Sequence, residues 1–562
     1  MRKESITKTG LLAGFFFTFF SFFSLSPVSG KGLPGKHTHH LNEQLITGKV
    51  TDANNGEGLT GASISVKGGR ASTTSGVNGN YSIAVANENA ILVFTFVGYT
   101  SQEIAVKGKT TINVVLAPVT ADLAQVVVMG YGTQSKKDVT GAVKSLKSDA
   151  FNRGIINSPE QLLQGKVAGV NVTSASGEPG GTIGITIRGP GGVRTGSTPL
   201  FVVDGLALDN SGTGGGNPLN FLNPQDIESI DVLKDASATA IYGTRGANGV
   251  VLITTKRGKA GTSNITYSFT YGLSSLAHAI PVFSTEEYKK QVVNVGGVLD
   301  DKGGSTNWQK EITQTATTQN HNLTMSGGAN KLTYYASFGM QKQAGIIKFN
   351  DLNRYTGRFN VTQKFLEDDR LIVEANLTAT STTNTRPPIS GVIGDAITNN
   401  PTYPAYDASG KPAQYQNIGN PLLSFTLDQD ITKINRVLGN ITSSLKLVKG
   451  LVYKLNFGID NSTGTRDIQA LPSLVPQRDG RLETFYTTNR NMLIENYLTY
   501  NLTNGDHTIS ALAGHSYQKI YLQGRNYSIN RFPISPVAPQ YNPGLGQDLT
   551  LANNKPGGYA LI

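Results

Sequence analysis

The sequence predicts a mostly β protein in three parts: a small β-sandwich, an α/β domain and an incomplete antiparallel transmembrane β-barrel. Glycine supplies 65 of 562 residues, roughly 12% against a usual value near 7%, while charged residues make up only 15%. Short strand-like stretches separated by turn residues fill the first part, and long segments that alternate at period two fill the last. Between them, short helix and strand patterns follow one another.

Residues 1–30 are predicted to be a secretory signal that is removed on export. Arg2 and Lys3 give a basic start, and the stretch Leu11–Leu25 is almost wholly apolar, with seven phenylalanines. Small residues around Ser29 follow, where a signal peptidase would cut. The apolar stretch is too short for a comfortable membrane-spanning helix.

Residues 31–44 are predicted to be a flexible spacer. Its histidines His37, His39 and His40 could bind a metal, but a short histidine tract in such a segment is more often incidental. The chain contains no cysteine, so we expect no disulfide, thiolate site or lipoprotein anchor. We therefore expect no metal and no cofactor.

The formal net charge of +11 raises the possibility of nucleic-acid binding. The lysines and arginines are scattered along the chain, however, and no recognised nucleic-acid module is present. Together with the export signal, this favours dispersed surface charge, and we expect no nucleic-acid partner.

Residues 45–118 are predicted to form the sandwich, with turn signals at Asn54–Gly56, Gly68–Gly69 and Asn78–Asn80. Phe94, Phe96 and Val97 are expected to supply part of its core. The predicted strands lie around residues 46–51, 62–66, 81–85, 91–97, 102–106 and 111–116.

The linker at 119–137 contains a short β-capable segment, QVVVMGYG, followed by a polar run. Such a segment could pair with the exposed edge of another protein's sheet, because an extended peptide gains affinity mainly through main-chain hydrogen bonds. It could equally be an ordinary internal strand. The residues alone do not decide between these interpretations.

Residues 138–258 are predicted to be the α/β unit. Ser158 and Pro159 are expected to cap and begin a helix that ends at Gly169, with Leu162, Leu163 and Val167 on one face. Further short helices are predicted from Asn223 and over 236–242, and strands over 200–204, 230–233 and 249–255.

Residues 259–562 are predicted to be the wall of the barrel. A lipid-facing wall needs segments of about ten residues that have one apolar face and aromatic residues near their ends. A soluble array of β-sandwiches would show the same alternation, but the export signal, the absence of cysteine and long polar loops such as 381–435 favour the barrel. The alternating segments are 265–273, 332–340, 355–361, 371–379, 451–459 and 494–500.

Catalysis is not expected. A glycoside hydrolase would need two carboxylates facing each other across a cleft, about 5–9.5 Å apart. Asp226, Glu228, Asp231 and Asp235 are close in sequence, but at helix and strand ends capping and solvation would explain them. A secreted adhesin or carbohydrate-binding array built of β-modules is a stronger alternative than an enzyme.

Three stretches carry a family resemblance: SPEQLLQGKVAGVNVTSASGEPGG…ITIRG at 158–189, PLFVVDG at 199–205 and NPQDIESIDVLKDASATAIYGTRGANGVVLITTKRG at 223–258. They resemble the plug of TonB-dependent outer-membrane receptors of the SusC/RagA type. The segment ITGKVTD…NGNYSIAV…FTFVGYT similarly resembles the carboxypeptidase-regulatory-like domain, a transthyretin-type sandwich without catalytic residues. The plug-motif residues are Arg188, Gly189, Asp204, Gly205, Asp231, Lys234, Asp235, Tyr242, Gly243, Arg245, Gly246 and Gly249.

The resemblance implies energy-coupled import of a nutrient through the outer membrane of a Gram-negative bacterium. It implies contact with outer-membrane lipid, a glycan or peptide ligand, a SusD-like surface lipoprotein as partner, and the periplasmic protein TonB. The implied TonB box, to which TonB would add a strand, consists of Val126, Val127, Val128, Met129, Gly130 and Tyr131.

A plugged barrel of this type needs about 22 strands. Roughly ten are predicted before Ile562. We therefore expect this chain to hold only the N-terminal part of the barrel.

Overall fold

The structure is a computed structural model that describes residues 44–561, except 54, 70, 98, 118–125, 130–131, 136–142, 175, 190–196, 209–217, 236–238, 416–418, 475–476, 506, 536–537 and 552–559. The predicted signal, most of the spacer and the three spacer histidines lie outside these residues. The chain divides into two compact units, residues 1–123 and 124–562. Each is described by itself.

The first unit is a β-sandwich of two sheets, with strand orders β4-β1-β7 and β3-β2-β5-β6. The first and last strands of the unit, β1 and β7, pair in parallel. The side chains of Ile46, Ile64, Leu92 and Phe94 are completely buried between the sheets. The strands are β1 (Gln44–Asp52), β2 (Ser63–Val66), β3 (Ser72–Thr74), β4 (Asn80–Val85), β5 (Ile91–Thr95), β6 (Gln102–Ala105) and β7 (Val114–Leu116).

The six predicted strands are present, and the pattern missed only the three-residue strand β3. One core prediction is wrong: Val97 is 94% exposed. Strand β5 ends at Thr95, and in β5 the even positions Leu92 and Phe94 face the core. Val97 lies beyond the strand end at an odd position, so it points to solvent, while Phe96 packs against the core.

The β-capable segment of the linker forms strand β8 (Val126–Met129) in the second unit. It pairs antiparallel with β9 (Gly132–Ser135), so that Val127 lies opposite Gln134. Gly130 and Tyr131 lie outside the described residues.

The α/β unit is built on a five-stranded sheet of order β10-β15-β16-β13-β14. Strands β13 and β16 are parallel neighbours, and a separate hairpin joins β11 to β12. Strand β13 is buried along its whole length, as its continuous apolar sequence predicts. The strands are β10 (Val143–Lys147), β11 (Val170–Ser174), β12 (Ile183–Ile187), β13 (Leu200–Val203), β14 (Leu206–Ala207), β15 (Ile227–Leu233) and β16 (Val250–Thr255).

The helices predicted here are shorter than expected. The one begun by Ser158 is a 3₁₀ helix, Pro159–Leu163, that ends well before Gly169; the Ser158 hydroxyl bonds to Glu160 instead of capping a backbone N–H. Asn223 does cap its 3₁₀ helix, Pro224–Asp226, by accepting from the Gln225 N–H at 3.0 Å. Of the last predicted helix, residues 236–238 lie outside the described part of the chain, and a 3₁₀ helix with a kink at Gly243 covers Ala240–Gly246. A further 3₁₀ turn is Ser148–Ala150.

The remainder of the chain forms one antiparallel sheet of 11 strands in sequence order. Nine strands are long, and β28 and β29 both pair with β27. A small hairpin, β24 (Ser473–Leu474) with β25 (Gln477–Arg478), extends one loop. The sheet strands are β17 (Ser263–Ser274), β18 (Ala316–Gly328), β19 (Leu332–Ala344), β20 (Asp351–Phe365), β21 (Leu371–Arg386), β22 (Asp428–Val448), β23 (Leu451–Ala470), β26 (Gly480–Asn504), β27 (His507–Phe532), β28 (Asp548–Leu551) and β29 (Ala560–Leu561).

The two faces of this sheet differ in chemistry. The predicted apolar positions face outward and are exposed, as at Ile265 (72%) and Phe338 (55%). Alternate positions such as Ser337 and Asn360 face the α/β unit and are buried. A soluble array of β-sandwiches would bury the apolar face, so that alternative is wrong. The sheet has the pattern of the wall of a membrane barrel. No helix within the described residues is long and apolar enough to cross a membrane.

The two ends of the sheet also differ. Short turns at 329–331, 366–370 and 449–450 join the strands at one end, where β26 also ends at Asn504 and β27 begins at His507. Longer loops join the strands at the other end. In outer-membrane barrels the short turns are periplasmic and the long loops extracellular.

The segment 381–435, predicted to be a polar loop, is largely structured. Four α-helices with described bounds are α1 (Thr285–Asn294), α2 (Trp308–Ile312), α3 (Ile389–Thr398) and α4 (Pro421–Leu427), and short 3₁₀ turns are Val77–Gly79, Glu367–Asp369, Pro539–Tyr541 and Pro543–Leu545. Helices α2, α3 and α4 pack around Trp308, Val392 and Phe425. The Trp308 Nε1–H donates to the Asn400 carbonyl at 3.1 Å, so two extracellular loops share one core.

Candidate functional site: the interface between the α/β unit and the wall

A buried ion pair joins the α/β unit to the wall. The turn after β13 places Asp204 and Gly205 at φ +48° and +86°, which turns the carboxylate back toward the end of β16. The carboxylate accepts from the Thr255 N–H at 3.0 Å and the Thr255 hydroxyl at 2.5 Å. Arg358 of β20 completes the site, with its guanidinium 3.1 Å from Asp204 Oδ2. Both side chains are almost fully buried, so each charge depends on the other.

Side-chain amides of the wall hold the same segment. Asn440 of β22 donates to the Asp204 carbonyl at 3.2 Å, and Asn456 of β23 to the Gly205 carbonyl at 3.4 Å. Asn491 of β26 donates to the Ala207 carbonyl at 3.3 Å. Three neighbouring strands thus bind backbone carbonyls that are left free where β13 turns into β14.

A second buried carboxylate, Asp226, lies at the end of its 3₁₀ helix. It accepts from the Tyr335 hydroxyl at 2.8 Å and the Ser337 hydroxyl at 2.7 Å, both on β19. The prediction that capping and solvation explain Asp226 is wrong, because the residue is 1% exposed and bound by the wall.

Two further arginines of the wall reach the α/β unit. Arg354 donates to the Asn157 carbonyl at 3.2 Å and also to the Asn220 carbonyl. Arg436 pairs with Asp460 on the next strand at 2.8 and 2.7 Å. It also donates to the Pro218 carbonyl at 2.8 Å.

Each of the nine long strands places at least one polar side chain on the α/β unit. In contrast, Leu438 and Leu493 are the only described wall residues in the main apolar core of the unit. The polar contacts of the nine strands include Ser268, Asn322, Tyr335, Arg358, Thr380, Arg436, Asn456, Asn491 and Gln518. The interface is therefore mainly hydrogen-bonded, whereas the unit's interior is apolar.

The plug-motif residues at the other end of the five-stranded sheet lie apart from Asp204. Arg188 forms an ion pair with Asp235, and Lys234 donates to the Ala168 carbonyl at 2.9 Å. Arg245 reaches the wall through Gln518 of β27.

The glycines and the tyrosine of the motif shape that end of the unit. Gly249 immediately precedes β16, and its φ of +89° favours glycine there; a Cβ would also lie 3.2 Å from the Leu233 carbonyl oxygen. Gly189 and Gly243 also have positive φ, at +93° and +59°, and Gly246 packs against Thr239. Tyr242 is buried in a small apolar cluster.

Asp231 lies between these groups, within β15, and is 3% exposed. Burial raises the pKa of its carboxyl, partly opposed by hydrogen bonds from Ser145 and Ser229 and by the charge of Lys147. The sequence interpretation of Asp231 as a solvated strand end is therefore also wrong.

The wall residues that contact the α/β unit were not singled out from the sequence. Apolar alternation identifies the outward positions of a strand and gives no information about the inward positions between them. The signal was available there: in β20 the inward positions between Tyr355 and Val361 are Thr356, Arg358 and Asn360. Arginine and asparagine in the middle of a membrane strand need an internal polar partner.

Two family models match the chain. The TonB-dependent Receptor Plug Domain matches residues 135–250, which contain most of the α/β unit. The CarboxypepD_reg-like domain matches residues 46–128, which contain the sandwich and most of β8.

Known proteins align over most of the chain. It is 36% identical over 511 residues to TonB-dependent receptor P3 of Formosa agariphila, covering 88% of this chain and 50% of that protein. It is 35% identical over 434 residues to TonB-dependent receptor SusC of Bacteroides thetaiotaomicron, covering 72% and 43%. The RagAB peptide importer in its open-open state superposes with a TM-score of 0.65 at 25% identity, covering 78% of this chain and 53% of that one. The chain thus spans about half the length of the curated relatives it matches.

Proposed function

Because the chain belongs to the SusC-like family of TonB-dependent outer-membrane receptors, we propose that its protein imports an oligosaccharide or peptide through a plugged barrel. In this proposal the α/β unit is the plug, residues 138–258. A SusD-like lipoprotein holds the ligand at the extracellular loops, and TonB supplies the energy.

The hydrogen-bonded interface between plug and wall is the observation that carries the proposal. A plug that moves must exchange its contacts with the wall for contacts with water. Water can replace most of the hydrogen bonds at the turn 204–207, at Asp226 and at Arg436, so the net cost per bond is about 1 kcal/mol. Exposing the apolar core inside the plug would cost far more. The contrast favours movement of the plug, or of part of it, relative to the wall.

The segment Val126–Tyr131 is proposed to be the TonB box. Strand β8 is short, precedes the plug and pairs with β9 through only four residue pairs. A small isolated hairpin is marginally stable in water, so TonB can take the place of β9 as the partner strand. The interpretation of this segment as an ordinary internal strand predicts no such exchange.

The type of ligand is proposed from the relatives and the extracellular loops. SusC and RagAB, the latter described as a peptide importer, are among the similar proteins. The loop module around Trp308 exposes Tyr406, whose hydroxyl donates to Glu311 at 2.9 Å. Aromatic faces with neighbouring carboxylates can bind either sugars or peptides.

The decisive experiment is uptake by the full-length protein. A deletion strain complemented with the gene should grow on one class of nutrient within a panel of glycans and peptides. The uncomplemented strain should not grow on that class. Growth should also stop when TonB is removed. Normal growth of the deletion strain on every member of the panel would contradict an import function.

A further inference from the structure

Three charged side chains form a group on the inward face of the wall. The group, called here the arginine site, consists of Arg386 of β21, Asp430 of β22 and Arg466 of β23. Arg466 donates to the Asp430 carboxylate from Nε at 3.0 Å and from Nη2 at 2.6 Å. Arg386 approaches the same carboxylate, with its Nη2 3.5 Å from Asp430 Oδ2. Two guanidinium groups therefore share one carboxylate, which leaves the site with a net positive charge.

The strand register shows where the site faces. Asn384, Thr432 and Arg466 lie directly opposite one another across β21, β22 and β23. The Asn384 amide donates to the Pro179 carbonyl of the plug at 3.0 Å, so this row faces inward. The other two members of the site are directly opposite each other two positions further along, and therefore lie on the same face. Since Pro179 lies between β11 and β12, the arginine site is next to the tip of that plug hairpin.

The site lies in the extracellular part of the wall. On β21 the outward positions are apolar from Leu371 to Ala379, and the next ones are Ser381 and Thr383. This change marks the end of the band that contacts lipid, because a membrane-spanning strand needs only about 9–11 residues. Arg386 lies beyond that end, on the side of the long loops. A ligand that enters from outside the cell therefore meets the site where the wall meets the plug.

The two arginines have more donors than their described neighbours use. A guanidinium has five N–H donors. The Nη2 of Arg386 donates to the Thr432 hydroxyl at 3.1 Å, while its buried Nε has no partner among the described residues. Arg466 uses Nε and Nη2 on Asp430, and its side chain is 36% exposed. Because Arg466 already engages both oxygens of Asp430, the remaining donors favour a ligand that supplies further acceptor oxygens.

Other charges surround the site in pairs. On the wall, Arg478 lies 2.9 Å from Asp428, and Arg481 lies 3.3 Å from Glu483. From the plug, the carboxylate of Glu178 also attracts Arg466. A ligand carboxylate at the arginine site therefore competes with this plug residue for Arg466.

We propose that the arginine site binds a carboxylate group of the imported ligand, so that the protein selects acidic ligands over their neutral counterparts. Arginine binds carboxylates through parallel hydrogen bonds, and such charge-assisted bonds are about twice as strong as neutral ones. Phe485 lies directly opposite Arg466 on β26 and places an aromatic side chain beside the charge. The inference rests on the proposed import function and adds to it the chemical class of the ligand.

The test measures binding to the full-length protein, purified in a non-ionic detergent, by isothermal titration calorimetry. The probes are two matched pairs: tetragalacturonate with its carboxyl-reduced counterpart, and a glutamate-rich peptide with the same peptide carrying glutamine instead. In at least one pair the acidic member should bind about tenfold more tightly or better, and that pair identifies the source of the carboxylate. Equal binding within both pairs, or no binding of either acidic probe, would overturn the proposal.

The variant R386Q/R466Q should bind the acidic probe about tenfold less tightly or worse. The matched control R490Q/R525Q removes the same charge from the outward face of β26 and β27 and should bind like the wild type. Unchanged binding by the first variant, or an equal loss in the control, would contradict the site. Heat-modifiable migration on gels checks that the barrel is folded. If the first variant is not heat-modifiable, R386Q/R466Q/D430N decides by the same criterion, because it also removes the carboxylate left without a cation.

The variant E178Q tests the competition with the plug. It should bind the acidic probe at least as tightly as the wild type, because it removes a carboxylate that competes for Arg466. Weaker binding would contradict the proposed position of the ligand.

Growth assays separate this inference from the import function. If growth on a neutral glycan or peptide required the protein as strongly as growth on its acidic counterpart, import would stand and the selection of acidic ligands would be wrong. If growth on the acidic member alone required the protein, and R386Q/R466Q removed that growth, both would be supported.

Discussion

Arg358 and Asp204 form a buried ion pair, 3.1 Å between Nη2 and Oδ2, that joins strand β20 of the wall to the turn after β13 of the plug. The residues are 154 positions apart in sequence. Its geometry is supported from the plug side by Thr255, which binds both partners.

Removing Arg358 should strongly destabilise the plug in the barrel. Arg358→Leu leaves a buried carboxylate without its cation, at a cost of about 3–5 kcal/mol. The double variant R358L/D204N should recover part of that loss, because asparagine tolerates the positive φ and carries no charge. The measurement is urea unfolding in detergent. Arg257→Gln, at the more exposed pair with Glu374, is the control and should cost about 0–1 kcal/mol. Equal effects of R358L and R257Q would contradict the assignment.

Val127→Pro should abolish uptake in the full-length protein, whereas Val127→Ala should be tolerated. Proline removes a backbone donor that strand addition needs, and alanine keeps it. Gln134→Pro is the matched control, because it breaks the same β8–β9 hairpin but leaves the backbone of β8 intact. Uptake and ligand capture at the cell surface are measured separately, and capture should survive all three changes. Normal uptake by the Val127→Pro protein would contradict the assignment of the TonB box to this segment.

Residues 45–118 should fold alone as a soluble sandwich with a cooperative melt by circular dichroism. Within that fragment Gly48→Ala should be severely destabilising, because a Cβ there would lie 1.9 Å from the Ile112 carbonyl oxygen. We expect a loss of about 3 kcal/mol or more. Gly56→Ala meets open space and should cost only about 1–2 kcal/mol through its positive φ of +69°. A disordered spectrum for the parent fragment would contradict the domain boundary.

Asp231→Asn should stabilise the protein at neutral pH. Burial raises the pKa of the Asp231 carboxyl in the folded state above that of the unfolded chain. A raised carboxyl pKa means that stability is lost as pH rises from the unfolded value near 3.9 through the folded value. The advantage of the variant should therefore shrink below about pH 4, where both states of the wild type are protonated. Urea unfolding of both proteins across this pH range measures the difference between their free energies of unfolding. A difference that does not change with pH would indicate that it arises from hydrogen bonding instead.

Residues 1–30 should be absent from the mature protein, because they combine a basic start, an apolar core and small residues at the end. N-terminal sequencing of outer-membrane material measures this directly. Recovery of Met1 in that fraction would show that the segment is retained.

The sequence predicted those parts of the fold in which one local rule dominates. Alternation identified six of the nine long wall strands and missed β18, β22 and β27. Their outward faces include polar residues, such as His321 in β18, Asn435 in β22 and Lys519 in β27. The helices predicted from Ser158 and from Asn223 are only 3₁₀ turns in the structure, because tertiary packing determines such short segments more than local propensity.

The interface with the plug could not be predicted from single residues. Asp204 and Asp226 were visible as carboxylates near strand and helix ends, but their partners Arg358 and Tyr335 lie more than a hundred positions away. A pattern within a short window contains no information about such pairs.

The two extracellular loops that pack around Trp308, one from β17 to β18 and the other from β21 to β22, share a single core. Exchanging one of them for the corresponding loop of a relative would remove half of that core and leave the other half without its packing. Successful chimaeras should therefore be those that transfer both loops together. In evolution, too, insertions or deletions in one loop should be accompanied by compensating changes in the other.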